Sequence, residues 1–99
     1  MRLVLALLAL STLVACGPIQ STAALIDADV AIEAARSAGA AQSSPYEFTG
    51  ANAYMKKARE VAGYAQYEAA TRFARKSVAL AKEARKNAEA SSNKVQENP

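Results

Sequence analysis

The sequence predicts an all-α protein, a three-helix up-down-up antiparallel bundle that follows a cleaved signal peptide. Apolar residues recur at steps of three and four in three successive blocks, and no alternating period-two run competes with them. The 99 residues are Ala-rich, with only 4 Gly and 3 Pro, which favours helix over sheet. The same composition narrows the chemistry. With no His, no Trp and 1 Cys, there is no imidazole acid or base, no internal disulfide and no thiolate zinc cluster. The expectation is a non-enzyme with no catalytic residues, no bound metal and no cofactor.

Residues 1–15 are expected to be a signal peptide, outside the mature fold. Arg2 supplies a short positive start, Leu3 to Leu10 an unbroken apolar run, and Leu13-Val14-Ala15-Cys16 a cleavage site. That tetrapeptide resembles a bacterial lipobox, and the sole Cys stands at its required position. The resemblance implies cleavage between Ala15 and Cys16 and acylation of Cys16, which becomes the link to the lipid bilayer. An apolar run of about 13 residues is too short for a membrane span, which needs ~20. Two or three acyl chains anchor stably where one would not. Gly17 follows the Cys where lipoproteins retained in the inner membrane typically carry Asp, so the resemblance points to the inner leaflet of the outer membrane, facing the periplasm. Residues 16–21 are then the lipidated Cys and a short tether, at most ~17 Å long when extended.

The first helix is expected over 22–38. Its seam is Leu25, Ala28, Ile32 and Ala35, with Ser21 or Thr22 as cap and Gly39 as a left-handed exit. A loop over 40–43 leads to Ser44-Pro45-Tyr46-Glu47, the pattern of a capping box with Pro at the first helical position. The second helix, 45–62, presents Phe48, Ala51, Met55, Ala58 and Ala62. Gly63 closes it or permits a tight turn. The third, 66–90, presents Tyr67, Ala70, Ala74, Ser77, Ala81, Ala84 and Ala88, and Ser91-Ser92-Asn93 opens a disordered tail over 91–99. Residues 22–90 form one Ala-rich domain.

A seam made mostly of Ala lets helices approach to about 8 Å but buries little area. The larger anchors are Leu25, Ile26, Val30 and Ile32 in the first helix, Phe48, Tyr54, Met55 and Val61 in the second, and Tyr67, Phe73, Val78 and Leu80 in the third. So thin a core leaves two sources of stability open, self-association or well-capped idealised helices.

Charge divides along the chain. Residues 17–50 carry net −3 and residues 51–99 net +5. An acidic first helix beside two basic ones cancels much of this field. The third helix is also longer than its neighbours, and its turns over 82–90 are expected to project unpacked, away from the membrane. Lys82, Arg85 and Lys86 there form a candidate partner surface for an anionic envelope protein or peptidoglycan. Asp27 and Asp29 are two apart on a helix and do not face each other, so they make no carboxylate dyad. Tyr46, Tyr54, Tyr64 and Tyr67 cluster in sequence around the second helix. They fit core packing with hydroxyls at the surface, or the lining of a groove for a sugar or peptide.

The chain resembles the short bacterial envelope lipoproteins grouped as domain of unknown function 4398. The resemblance rests on the lipobox Cys16, the segment Ala34-Ala35-Arg36-Ser37-Ala38-Gly39-Ala40, the Ser-Pro-Tyr-Glu start at 44–47, and the Ala-studded hairpin through Tyr67, Ala70, Ala74 and Ala81. It covers about residues 20–90, implies a helical fold and an envelope location, and transfers no site. The expected role is a membrane-anchored, periplasm-facing structural or adaptor module, with no nucleic-acid partner in that compartment. Two alternatives remain. One is a homo-oligomeric coiled-coil spacer resembling murein lipoprotein, although Gly39, Pro45 and Gly63 interrupt a single long helix. The other is an envelope ligand-binding module for peptidoglycan fragments.

Overall fold

The computed structural model describes residues 1–97, and for residues 11–16 the backbone alone. Among the described residues every regular element is helical: α1 (Arg2–Ser37), α2 (Ala40–Ser43), α3 (Pro45–Gly63) and α4 (Tyr67–Glu97), with no strand. The all-α expectation holds. The helix count does not, because there are four helices and α1 is not confined to 22–38.

α1 runs unbroken through the expected tether. Pro18 lies inside it, and Thr22 Oγ1 donates to the Pro18 carbonyl at 2.8 Å. Neither Ser21 nor Thr22 caps a helix start. Ser21 is instead buried, and a Cβ built on Gly17 would stand 3.7 Å from the Tyr67 ring. The fold therefore packs from residue 17 onward. A proline costs a helix one hydrogen bond and some crowding, and contacts with α4 outweigh that cost here.

α1 ends where expected. Ala38 is the C-cap and Gly39 takes φ 88°, a left-handed conformation that a Cβ would strain. The predicted loop over 40–43 is the single turn α2, whose Ala40 is fully buried.

α3 starts at Pro45 as expected, with Ser44 as N-cap, but no side-chain capping bond forms. The hydroxyl is taken up elsewhere. Ser44 Oγ donates to Glu47 Oε2 at 2.6 Å and accepts from Asn87 Nδ2 at 3.1 Å. What reads as a local capping box is a tie between the start of α3 and α4. Ser44→Ala should cost about 1–2 kcal/mol, since it strands the Asn87 amide as well. In a double-mutant cycle with Asn87→Ala the two losses should fall well short of additive, and full additivity would separate the two side chains.

At the α3–α4 turn Gly63 closes the helix, one of the two roles expected of it. Gly63 keeps a negative φ and is the last residue of α3, while the left-handed residue is Ala65, at φ 59°. Gln66 N–H donates to Val61 O at 2.9 Å and Ala65 N–H to Ala62 O at 3.0 Å. These two bonds make a Schellman motif with alanine at the position glycine favours. Ala65→Gly should therefore stabilise the protein by about 0.5–1 kcal/mol, read as a higher melting temperature. An unchanged or lower melt would mean that the left-handed geometry is not kept in solution.

α4 continues to Glu97. The tail expected over 91–99 is helical as far as it is described, and residues 98–99 lie outside the described residues.

Contacts fix the directions. Arg59 donates to Asp29 at 2.7 Å and Arg36 stacks over the Phe48 ring at 5.6 Å, so α1 and α3 run antiparallel. Ser77 Oγ donates to Ala51 O at 2.7 Å and Tyr54 stacks on Phe73 with centroids 6.1 Å apart, so α3 and α4 do as well. α4 runs beside α1 in the same direction, with Tyr67 near Gly17 at one end and Arg85 near Ala34 at the other.

The core follows the expected register closely. Ala28, Ile32, Ala51, Met55, Ala58, Ala74 and Ala81 are buried in one cluster, and Ala35, Ala40, Ala84 and Ala88 in a second. Ile26 and Val30, both expected as anchors, stand outside it, 57% and 64% exposed. At 100° per residue they fall across the helix from Ala28, Ile32 and Ala35.

Candidate functional site

Cys16 and Ala15 lie within the span of α1, and their side chains are outside the described residues. The surroundings of the next turn are clear. Gly17 and Gln20 face Tyr67, Glu68, Thr71, Arg72 and Arg75 of α4 across a shallow groove. A Cβ at Gly17 would make only ordinary contact with the Tyr67 ring, at 3.7 Å, so the approach of the two helices does not depend on the glycine. Thr71 turns its hydroxyl back onto the Tyr67 carbonyl at 2.9 Å and closes the local polar account. No helix among the described residues is long and apolar enough to cross a membrane.

The basic candidates are only partly brought together. Lys82 and Arg85 edge a groove between α1 and α4 that is floored by Val30, Ala31, Ala34 and Val78 and has Asp27 on the opposite bank. Arg85 Nε also pairs with Glu89 at 2.9 Å, an exposed pair worth little on its own. Lys86 is exposed and lines no groove with them.

The expectation that residues 82–90 pack against nothing is wrong. Ala84 and Ala88 are buried against Ala35 and Ala40, and Asn87 holds Ser44. The reason is that α2 adds a turn to the far end of the fold, so α4 is not surplus there. From Glu89 onward every described residue of α4 is exposed.

The four tyrosines make no single groove. Tyr46 opens α3 at the far end, while Tyr64 and Tyr67 flank the α3–α4 turn near Gly17. Tyr54 lies between, stacked on Phe73 and covered by the Lys76 ammonium 5.4 Å from its centroid. That leaves Tyr54 packed, and Tyr46 and Tyr64 on the surface.

The acidic residues are equally scattered. Asp29 is taken by Arg59, Glu33 pairs with Arg36, and Asp27 faces the other side of α1. Among the described residues no group of three or more His, Cys, Asp or Glu could hold a metal ion. The Glu47 carboxyl is held below its ordinary range. The Ser44 hydroxyl bond lowers its pKa first and a backbone bond second, against slight desolvation. A lowered folded-state pKa contributes stability above the ordinary value of 4.5, lost as the pH falls through the lowered one.

What reading the sequence missed is a stripe rather than a site. Ile19, Ala23, Ile26 and Val30 form an exposed apolar face on α1, and their spacing of four, three and four was the available signal.

Residues 23–98 match the model of the family described as Domain of unknown function (DUF4398). No curated protein and no solved structure matches the chain.

Proposed function

We propose a function from the premise that the chain belongs to the family Domain of unknown function (DUF4398), which the match over 23–98 establishes. In this reading the protein is a lipoprotein of the bacterial envelope. It is cut between Ala15 and Cys16, acylated at Cys16, and held at the inner leaflet of the outer membrane with its helical domain in the periplasm. It works there as a non-catalytic structural or adaptor module, its mature part a three-helix up-down-up bundle of α1, α3 and α4. The observation that carries this is Leu13-Val14-Ala15-Cys16 behind an unbroken apolar run, with the only Cys of the chain at the acylation position. Packing from Gly17 onward supports it, because a bundle that starts beside the anchor is held close to the bilayer. The test is the intact mass of the protein extracted from membranes. Loss of residues 1–15 with a diacylglycerol and acyl increment is expected, and an uncut or unmodified chain overturns the reading.

The adaptor role is carried by the basic edge. Lys82 and Arg85 flank an apolar-floored groove, and Lys86 lies one turn beyond Lys82, a surface suited to an anionic envelope protein or to peptidoglycan carboxylates. Lys82→Glu with Arg85→Glu and Lys86→Glu should abolish low-salt co-sedimentation with peptidoglycan, or the wild-type crosslinks, while helicity stays intact. Salt should weaken the wild-type contact too, since exposed charges are screened beyond ~8–10 Å at physiological ionic strength. Retention of every contact by the triple variant would leave these residues as a solvated face.

A further inference from the structure

The arginines of the helical domain fall into two groups. Arg36, Arg59 and Arg85 each hold a carboxylate, from Glu33, Asp29 and Glu89. Arg72 and Arg75 pair with no carboxylate among the described residues, although Glu68 lies one turn before Arg72. Both are exposed, and both line the groove that Gly17 and Gln20 close on the α1 side. Two guanidiniums against the single carboxylate of Glu68 leave that groove net positive.

We propose that this groove seats the phosphate of an anionic phospholipid from the leaflet that holds the anchor. A guanidinium presents paired donors that match phosphate oxygens, and two of them here have no competing partner. The Gln20 amide supplies a further donor on the opposite bank. Glu68 works against the phosphate, so removing its charge should strengthen binding. A single lipid anchor leaves the bundle free to tilt, and this second point of attachment holds it upright on the membrane.

Position selects the lipid as occupant, and this part of the argument rests on the proposed acylation. The groove begins at Gly17, one residue past Cys16. An acylated cysteine stands at the depth of the lipid glycerol, because its diacylglycerol replaces a phospholipid whose headgroup it lacks. Tyr67 is level with Gly17, and Arg72 and Arg75 follow it by about 8 and 12 Å along α4. Side chains on a helix lean towards its N-terminus, which for α4 is the anchor end. The headgroup layer is about 5–8 Å thick on each side of a bilayer, so Arg72 falls within it and Arg75 reaches its outer edge. Tyr64, 73% exposed on the α3–α4 turn, stands at the same end, an aromatic ring with a polar tip of the kind enriched at membrane interfaces.

The test is photolabelling of the protein extracted from membranes and reconstituted in phosphatidylcholine vesicles that contain phosphatidylglycerol with a photoreactive headgroup. Label mapped by mass spectrometry is expected on residues 17–20 and 67–75. A basic side chain at an anionic membrane surface contributes about fivefold in affinity. Arg72→Gln and Arg75→Gln should therefore each lower the yield about fivefold, and the double variant about 25-fold. Glu68→Gln should raise it, a gain that misfolding does not produce. Lys94→Gln, on the exposed end of α4, should leave it unchanged. Photoreactive phosphatidylcholine and soluble photoreactive glycerol phosphate should both label the groove at least fivefold less. Full labelling of the double arginine variant, a loss with Glu68→Gln, or equal labelling by the choline lipid would each overturn the proposal. Equal labelling by glycerol phosphate would overturn it in favour of a soluble anion site. The intact mass at Cys16 separates the two readings. Groove label on a chain with unmodified Cys16 keeps the headgroup site and removes the lipoprotein, whereas an acylated Cys16 without groove label does the reverse.

Discussion

Met55→Ala is expected to lower the melting temperature by roughly 10–20 °C. Met55 is 3% exposed and packs among Ala24, Ala28, Ile32, Ala51, Ala58, Ala74 and Ala81. Removing a long buried side chain costs the transfer of its atoms from water plus the cavity left behind, about 2–5 kcal/mol. Alanine neighbours cannot swing inward to fill the gap, which puts the loss above the low end. In a domain of this size each kcal/mol moves the midpoint by about 4–8 °C. Met55→Leu, which nearly conserves volume, should cost under about 1.5 kcal/mol. Val95→Ala, on the exposed end of α4, should change little. Thermal melts of the three variants check this, and equal shifts for Met55→Ala and Val95→Ala would mean that the alanine-lined cluster is not the core.

Cys16→Ser should abolish fatty-acid labelling completely and leave the full-length precursor uncut. A serine hydroxyl is a far poorer nucleophile than a thiol, the chain has no second Cys, and the proposed cut falls directly before the residue that would carry the lipid. The consequence is positional as well as covalent. Each buried CH₂ of an acyl chain contributes about 0.8 kcal/mol, so losing every chain should move the protein from the membrane pellet to wherever the uncut apolar run takes it. Palmitate labelling and gel mobility read the result, and normal labelling of the variant would end the lipoprotein reading.

Much of the fold was legible because the alanine register is periodic. Ala28, Ile32 and Ala35 in α1, Ala51, Met55 and Ala58 in α3, and Ala70 to Ala88 in α4 lie where a 3.6-residue repeat puts them. Pro45 and Gly39 were legible for local reasons, a fixed φ at one and a left-handed φ at the other. The misses share a cause, which is that tertiary contact overrides a local signal. Gly17-Pro18 reads as a break, but α4 packs beside it and α1 runs through. Ser91-Ser92-Asn93 reads as a stop, yet each of these residues costs a helix only a few tenths of a kcal/mol, too little to halt one already propagating. The left-handed turn residue is Ala65 although Gly63 stood nearby, because the Schellman bonds count back from Val61. Ile26 and Val30 were assigned inward by size, when their helical angle places them outside.

The candidate site was less legible. The lipobox is a linear pattern and reads directly, whereas the groove between Asp27 and Lys82 needs α1 beside α4 in the same direction, which no short motif encodes.

Helices joined through alanine exchange little apolar surface with water when they separate. Heat capacity and denaturant sensitivity of unfolding both scale with newly exposed area. This domain should therefore melt over a broad interval, with a shallow dependence on urea and a flat stability curve. Cooling should weaken it little, because the temperature-dependent hydration that drives cold denaturation is small to begin with.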